Sequence, residues 1–257
     1  MLLIALAFAA GSDEYFKLLG IKPLLSVGFA KGTIAERIVS LSPFTIFLAT
    51  AISGDNPPTG FNLALPIFSL AGAFVIAVSL MARRFGRVQP NELPATLAAI
   101  ESLGWIGAPL LALEVLHNVV KTPTWDLHSK LLIVLLPIWA GDIAAIFVGM
   151  AIGKHLLAPK LSPKKTVEGA IGNLVFSIAA AMGVGAYLQK PMLVSAGLGA
   201  LISVTGQVGD LFESWVKRKV GTKDSGTLLP GHGGILDRID SLLFAAIPAA
   251  LVLALVR

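Results

Sequence analysis

Residues 131–152 read LLIVLLPIWAGDIAAIFVGMAI, and the reading of that run decides the fold. A helix rising 1.5 Å per residue needs about 20 apolar residues to cross the ~30 Å hydrocarbon layer of a bilayer, and this run supplies them. Working outward, similar runs recur at about 2–10, 38–54, 62–82, 94–116, 167–188, 192–209 and 239–256. None alternates with the period of two that a barrel strand shows. In lipid every backbone polar group must be satisfied within the segment, so helices are the remaining option. The sequence therefore predicts an all-α polytopic integral membrane protein, one transmembrane domain over 1–257 with about eight transmembrane helices (7–9). Composition agrees: 55% of residues are hydrophobic and 14% charged, against about a quarter charged in a soluble domain.

The first run, MLLIALAFAA, is short and lacks the basic leader of a signal peptide, so it reads as a short or broken span, either partial or continuing into GSDEYFKLLG. The chain has no cysteine, which excludes a disulfide framework and a thiolate metal site. Its net charge of +5 is assigned to basic loops on one membrane face, not to a nucleic-acid partner. Lys17, Lys22, Lys31, Arg37, Arg83, Arg84 and Arg87 fall in alternate loops with Lys154, Lys160, Lys164, Lys165, Lys217, Arg218, Lys219, Lys223 and Arg238. The intervening loops hold Lys121, Lys130 and Lys190. Positive charge marks the cytoplasmic side, so loops 153–166 and 210–238 are predicted to face the compartment that holds nucleotides.

Four places carry chemistry. Asp142 sits midway in its apolar run, where a carboxylate is expensive and marks either a helix-holding hydrogen bond or a functional cavity. Glu101 stands similarly in LAAIESLGW, with the same two readings. In APKLSPKKTVEGAIGN, Ser162 reads as a helix N-cap with Pro163 at the first helical position. Lys164 and Lys165 would then occupy the first turn, where the helix already attracts anions; the alternative is a basic patch on the membrane surface. The fourth place is 210–240, DLFESWVKRKVGTKDSGTLLPGHGGILDRID. If the preceding span continues as a helix, Asp210, Glu213, Ser214 and Lys217 share one face. Asp237 and Asp240 are three apart on the helix that begins the last span. Carboxylates from two helices can bind a hard divalent cation through oxygen. Lys217, Arg218, Lys223 and Arg238 can neutralise phosphate oxygens, and His232 can donate to one. A solvated loop whose charges pair among themselves is the plain alternative.

The stretch SWVKRKVGTKDSGTLLPGHGGILDRID (214–240) resembles the signature of the phosphatidate cytidylyltransferase (CDP-diacylglycerol synthase) family. The resemblance runs through Ser214, Lys217, Arg218, Lys223, Asp224, Gly226, Pro230, His232, Gly233, Gly234, Asp237, Arg238 and Asp240. GDIAAIFVGMAIGKHLLAPKLSPKKTVEGAIGN (141–173) and GQVGDLFES (206–214) resemble the same family, so the catalytic half is placed at about 138–245. Ile143 and Met150 depart from it, standing where a small polar and a basic residue are common.

The resemblance implies that the lipid phosphate of phosphatidic acid attacks the α-phosphorus of CTP, giving CDP-diacylglycerol and pyrophosphate. Such chemistry rests on positioning and charge neutralisation, with Mg2+ or Mn2+ and room for a second cation. On this reading Asp210 and Asp237 are the principal metal ligands, with Asp142 and Asp240 beside them. Lys164, Lys165, Lys217, Arg218, Lys223 and Arg238 hold phosphates. Asp224, Glu168, Ser214 and His232 support them, and Ser162, Thr166, Gly233 and Gly234 line the substrate. A homodimer in a bacterial inner membrane suits the family. Two other readings are carried: a CTP-dependent lipid kinase or a cytidylyltransferase for another lipid phosphate, and an ion or lipid transporter using Asp142 and Glu101.

Overall fold

The computed structural model describes residues 2–19, 102–110, 112–113, 127–227 and 233–255. The predicted spans 38–54 and 62–82, most of 94–116, Glu101, Pro230 and His232 lie outside them, as do loop 83–93 and most of loop 11–37. The described elements are α1 (Leu2–Leu18), a π-helical turn at Leu103–Gly107, α2 (Leu127–Ile152), β1 (Leu156–Ala158), β2 (Ser162–Thr166), α3 (Val167–Tyr187), α4 (Met192–Lys219) and α5 (Leu236–Leu255). The described residues are thus mostly helical, with one antiparallel β-hairpin among them that the all-α reading did not include. Leu131–Ile152, Val167–Tyr187 and Met192–Lys219 are long and apolar enough to cross a membrane. The first run does continue, as one helix to Leu18.

Two compact units emerge. The first comprises Met1–Leu111 with Val216–Ile239, and the second Ala112–Trp215 with Asp240–Arg257.

In the second unit α2 and α3 pack along their length. Small residues make this possible. A Cβ on Gly141 would lie 2.8 Å from Asn173 Oδ1 and would overlap Ser177 Oγ, so only glycine fits at that crossing. Such small-residue contacts replace the hydrophobic drive that lipid removes. The opposite side of α2 bares Trp139, Ile143, Ile146, Phe147 and Met150, a helical stripe suited to acyl chains. Ile143 and Met150, which depart from the family pattern, are both on this stripe. Phe212 on α4 stacks on Trp215 at 6.1 Å and packs against Phe244 of α5 at 5.3 Å.

In the first unit Tyr15 meets Trp105 edge to face at 5.0 Å, and Ser102 donates to Ser12 at 2.7 Å. Both contacts tie α1 to the π-helical turn. The end of α4 is closed by a Schellman turn: Gly221 N–H donates to Arg218 O and Thr222 N–H to Lys217 O, with Gly221 at φ 77°. Glycine is favoured there because the left-handed backbone penalises a Cβ.

Candidate active site

The hairpin between α2 and α3 corrects one expectation. Ser162 does not cap a helix; Ser162–Thr166 is a strand that pairs with Leu156–Ala158. Pro163, which lacks an N–H, is tolerated in a two-stranded ribbon because either strand has an open edge. Thr166 caps the helix instead, in extended backbone, with Oγ1 accepting from Gly169 N–H at 3.1 Å. The two lysines therefore never crowd a helix N-terminus. Lys164 is exposed, whereas the partly buried Lys165 ion-pairs with Asp210 on α4. Glu168 is occupied by the hairpin. It accepts from the N–H groups of Lys154 and His155 at 3.1 and 3.2 Å and meets His155 Nδ1 at 2.6 Å.

The second unit also brings Asp142, Asp210 and Asp240 within range of one another's charge. Gly209 makes part of this possible: a Cβ there would lie 2.6 Å from Asp240 O and 2.8 Å from Phe244 Cβ, so α4 and α5 approach closely beside Asp210. At about 1.5 Å per residue Asp210 lies ~27 Å along α4, close to the far edge of a ~30 Å hydrocarbon layer. Lys165 also acts on Asp142 and Asp240 through its charge. Among the described residues no three carboxylate or histidine side chains are gathered tightly enough to cage an ion as they stand. The donor set nonetheless suits a hard divalent cation: oxygen ligands with excess negative charge.

Asp142 borders a small cavity of about 10 Å3, no larger than a water molecule needs, with Asn173, Ser203, Gln207 and Ser241 in its wall. Asn173 Nδ2 donates to Asp142 Oδ1 at 3.1 Å, and its Oδ1 accepts from Ser203 Oγ at 2.7 Å.

In the first unit Asp237 is saturated. Its Oδ1 accepts from Lys217 Nζ at 2.6 Å, and its Oδ2 from Ser225 N–H, Ser225 Oγ and Gly234 N–H at 2.9, 2.9 and 2.8 Å. Burial pushes its pKa up, but the lysine and the N–H donors outweigh it and hold the carboxyl below its ordinary range. Gly233, at φ 80°, lets the backbone turn over this carboxylate. Arg218 donates to Thr222 O at 2.9 Å. Lys223, Asp224 and Arg238 are exposed, and Ser214, of the second unit, is buried on α4. Of the two expected principal metal ligands, Asp210 belongs to the second unit and Asp237 to the first.

Sequence reasoning missed Glu14. This carboxylate, 3% exposed, reaches from α1 to the glycine-rich segment: Oε1 accepts from Ile235 N–H at 2.8 Å and Oε2 from Leu236 N–H at 3.0 Å, while Ser225 Oγ, 3.0 Å from Oε2, has one proton to give either here or to Asp237. It caps α5 from a helix far away in sequence. No spacing rule links positions 14 and 235, so nothing local marked it. Asn173, Ser203 and Gln207 were missed differently. They are amides and a hydroxyl inside apolar runs, a signal present in the sequence but passed over in favour of ionisable residues.

The model of the cytidylyltransferase family matches residues 1–256. A phosphatidate cytidylyltransferase of Brucella suis biovar 1 is 49% identical over 114 residues, which cover 42% of this chain and 41% of the relative. One from Mycobacterium tuberculosis is 44% identical over 122 residues, covering 47% of this chain and 37% of the relative. Uncharacterized protein YnbB of Escherichia coli is 36% identical over 192 residues, covering 72% and 62%. The matched stretch thus spans about two fifths of the length of the first relatives.

Proposed function

This chain belongs to the cytidylyltransferase family, and from that premise we propose that it makes CDP-diacylglycerol and pyrophosphate from CTP and phosphatidic acid. The reaction is placed at the cytoplasmic face of a bacterial inner membrane. The observation that carries the reading is the grouping of Asp142 and Asp210, on helices long and apolar enough to cross a membrane, with Asp240 of α5 and Lys165 of the hairpin. A water-soluble triphosphate and a lipid phosphate can meet only near such a boundary. The names of the relatives support the same chemistry.

In the proposed step an oxygen of the lipid phosphate forms a bond to the α-phosphorus of CTP. The bond from that phosphorus to the bridging oxygen of the β-phosphate breaks, and pyrophosphate leaves. Asp142, Asp210 and Asp240 would hold Mg2+ or Mn2+, which when bound supplies charge neutralisation to the phosphates. Lys165 offsets Asp210 and can exchange that carboxylate for a phosphate oxygen, while exposed Lys164 meets phosphate as a point charge. Asp237, expected as a principal ligand, is assigned to anchoring the glycine-rich segment, with Lys217 as its counter-ion. Lys223, Asp224 and Arg238, at the surface, are assigned to substrate contact.

The reading is tested by reconstituting the protein with phosphatidic acid, labelled CTP and Mg2+. CDP-diacylglycerol and pyrophosphate are expected, and Asp210→Asn should lower turnover about 100-fold with its melting temperature retained. Release of CDP with a newly phosphorylated lipid would point to a kinase. Near-normal turnover in a folded Asp210→Asn protein would remove the carboxylate from the mechanism.

A further inference from the structure

The cavity wall beside Asp142 contains a chain of hydrogen bonds with a direction. It starts at a backbone carbonyl, Ala170 O, which can only accept. Gln207 Nε2 approaches that oxygen at 3.4 Å, donates to Ser203 Oγ at 3.0 Å, and also reaches Asn173 Oδ1 directly at 3.3 Å. A serine hydroxyl has one proton, and Ser203, accepting from Gln207, gives its own to Asn173 Oδ1 at 2.7 Å. The remaining end of that amide, Nδ2, donates to Asp142 Oδ1 at 3.1 Å. Ser177 does not interfere, because its proton is better placed on Pro137 O at 2.8 Å than on Asn173 at 3.4 Å.

Reversing the amide of Asn173 would set oxygen against oxygen at Asp142 and leave Ser203 without its acceptor. The chain therefore fixes the amide. Asn173 and Ser203 are buried, 4% and 3% exposed, whereas Asp142 at the other end of the relay is exposed. Buried, fixed donors behind an accessible carboxylate form the arrangement by which an outer partner orients a ligand toward an ion.

We propose that Asn173 is a positioning residue for Asp142, and that the relay Gln207–Ser203–Asn173 presents this carboxylate to a divalent cation. The inference rests on the assignment of Asp142 to the cation-binding set. Asn173 itself touches neither cation nor substrate; it acts by holding Asp142 Oδ1 as an acceptor and so setting which way the carboxylate faces.

The test uses the full chain in detergent, titrated with Mn2+ and followed by the electron paramagnetic resonance of the free ion, without nucleotide or lipid. Asn173→Ala should weaken Mn2+ binding about tenfold. In reconstituted assays it should raise the Mg2+ needed for half-maximal rate by a similar factor, with the rate at saturating Mg2+ changed less. Ser203→Ala, which removes the nearer donor to Asn173 Oδ1 and leaves the longer one from Gln207 Nε2, should shift Mn2+ affinity in the same direction by a smaller factor. Ser203→Thr, which keeps the hydroxyl, should restore it, and a role in packing alone would not give that pattern. Should Asn173→Ala fail to fold, the two Ser203 variants decide. Wild-type protein that binds Mn2+ with variants of unchanged affinity overturns the relay and leaves the proposed reaction standing. Wild-type protein that binds no Mn2+ overturns both the relay and the assignment of Asp142, Asp210 and Asp240.

Discussion

Replacing Glu14 by alanine is the sharpest probe of how the glycine-rich segment is held. The side chain accepts from the N–H groups of Ile235 and Leu236 at 2.8 and 3.0 Å, and from Ser225 Oγ at 3.0 Å. Ser225 loses little, because its single proton can pass to Asp237 Oδ2 at 2.9 Å. The two backbone donors have no such second choice among these contacts. Leaving a buried donor unmet costs about 1–3 kcal/mol, and losing a carboxylate at a helix N-terminus about 0.3–1 kcal/mol more. Glu14→Ala should therefore destabilise by roughly 2–5 kcal/mol, after discounting for water entering the space left behind. Glu14→Gln keeps one acceptor oxygen and should lose about 1 kcal/mol. A thermal melt of the detergent-solubilised protein reads the ranking directly.

The glycines add an internal control. A Cβ on Gly226 would lie 2.8 Å from Glu14 Cδ, so Gly226→Ala should be poorly tolerated in wild type and better tolerated once Glu14 is alanine. Contacting residues are expected to be non-additive in this way. Equal losses for Gly226→Ala in both backgrounds, or a Glu14→Ala protein that melts within a degree of wild type, would refute the docking of α1 against this segment.

Three further outcomes are expected. Thr166→Val should lose about 1 kcal/mol of stability in a melt, because it removes the true cap of α3, whereas Ser162→Ala should be close to neutral. Because the folded-state pKa of Asp237 is depressed, its contribution is fully present above the unfolded carboxyl value near ~3.9 and is lost as pH falls through the folded one. Wild type should thus show an acid destabilisation, in melts below about pH 4, that is reduced in Asp237→Asn. Gly141→Ala should cost about 1–3 kcal/mol through overpacking against Asn173 and Ser177, which separation of folded from aggregated protein by size-exclusion chromatography would show.

What the sequence made legible follows the range of the interactions involved. The helices over 131–152, 167–188 and 239–256 were readable because length and hydropathy are properties of a single segment. The extension of 192–209 to Lys219 was readable too, since Asp210, Glu213, Ser214 and Lys217 kept helical spacing past the apolar run. The hairpin at 156–166 was not. Ser162–Pro163 is a sound local signal for a helix start, and it lost to pairing of Leu156 with Thr166 and Ala158 with Ser162, a contact that no pattern within either strand encodes. The same limit separates two acidic residues. Asp142 announced itself as a carboxylate in an oily run, whereas Glu14 sits among ordinary polar residues at the end of a helix. Its importance appears only in what it touches more than two hundred residues away. Charge in an apolar setting can thus be found by reading along the chain. Charge buried by a distant backbone has to be found by asking where that backbone's own donors go, and the N–H groups of Ile235 and Leu236, at the start of a helix with no serine, threonine, aspartate or asparagine just before it, are where that question would have led.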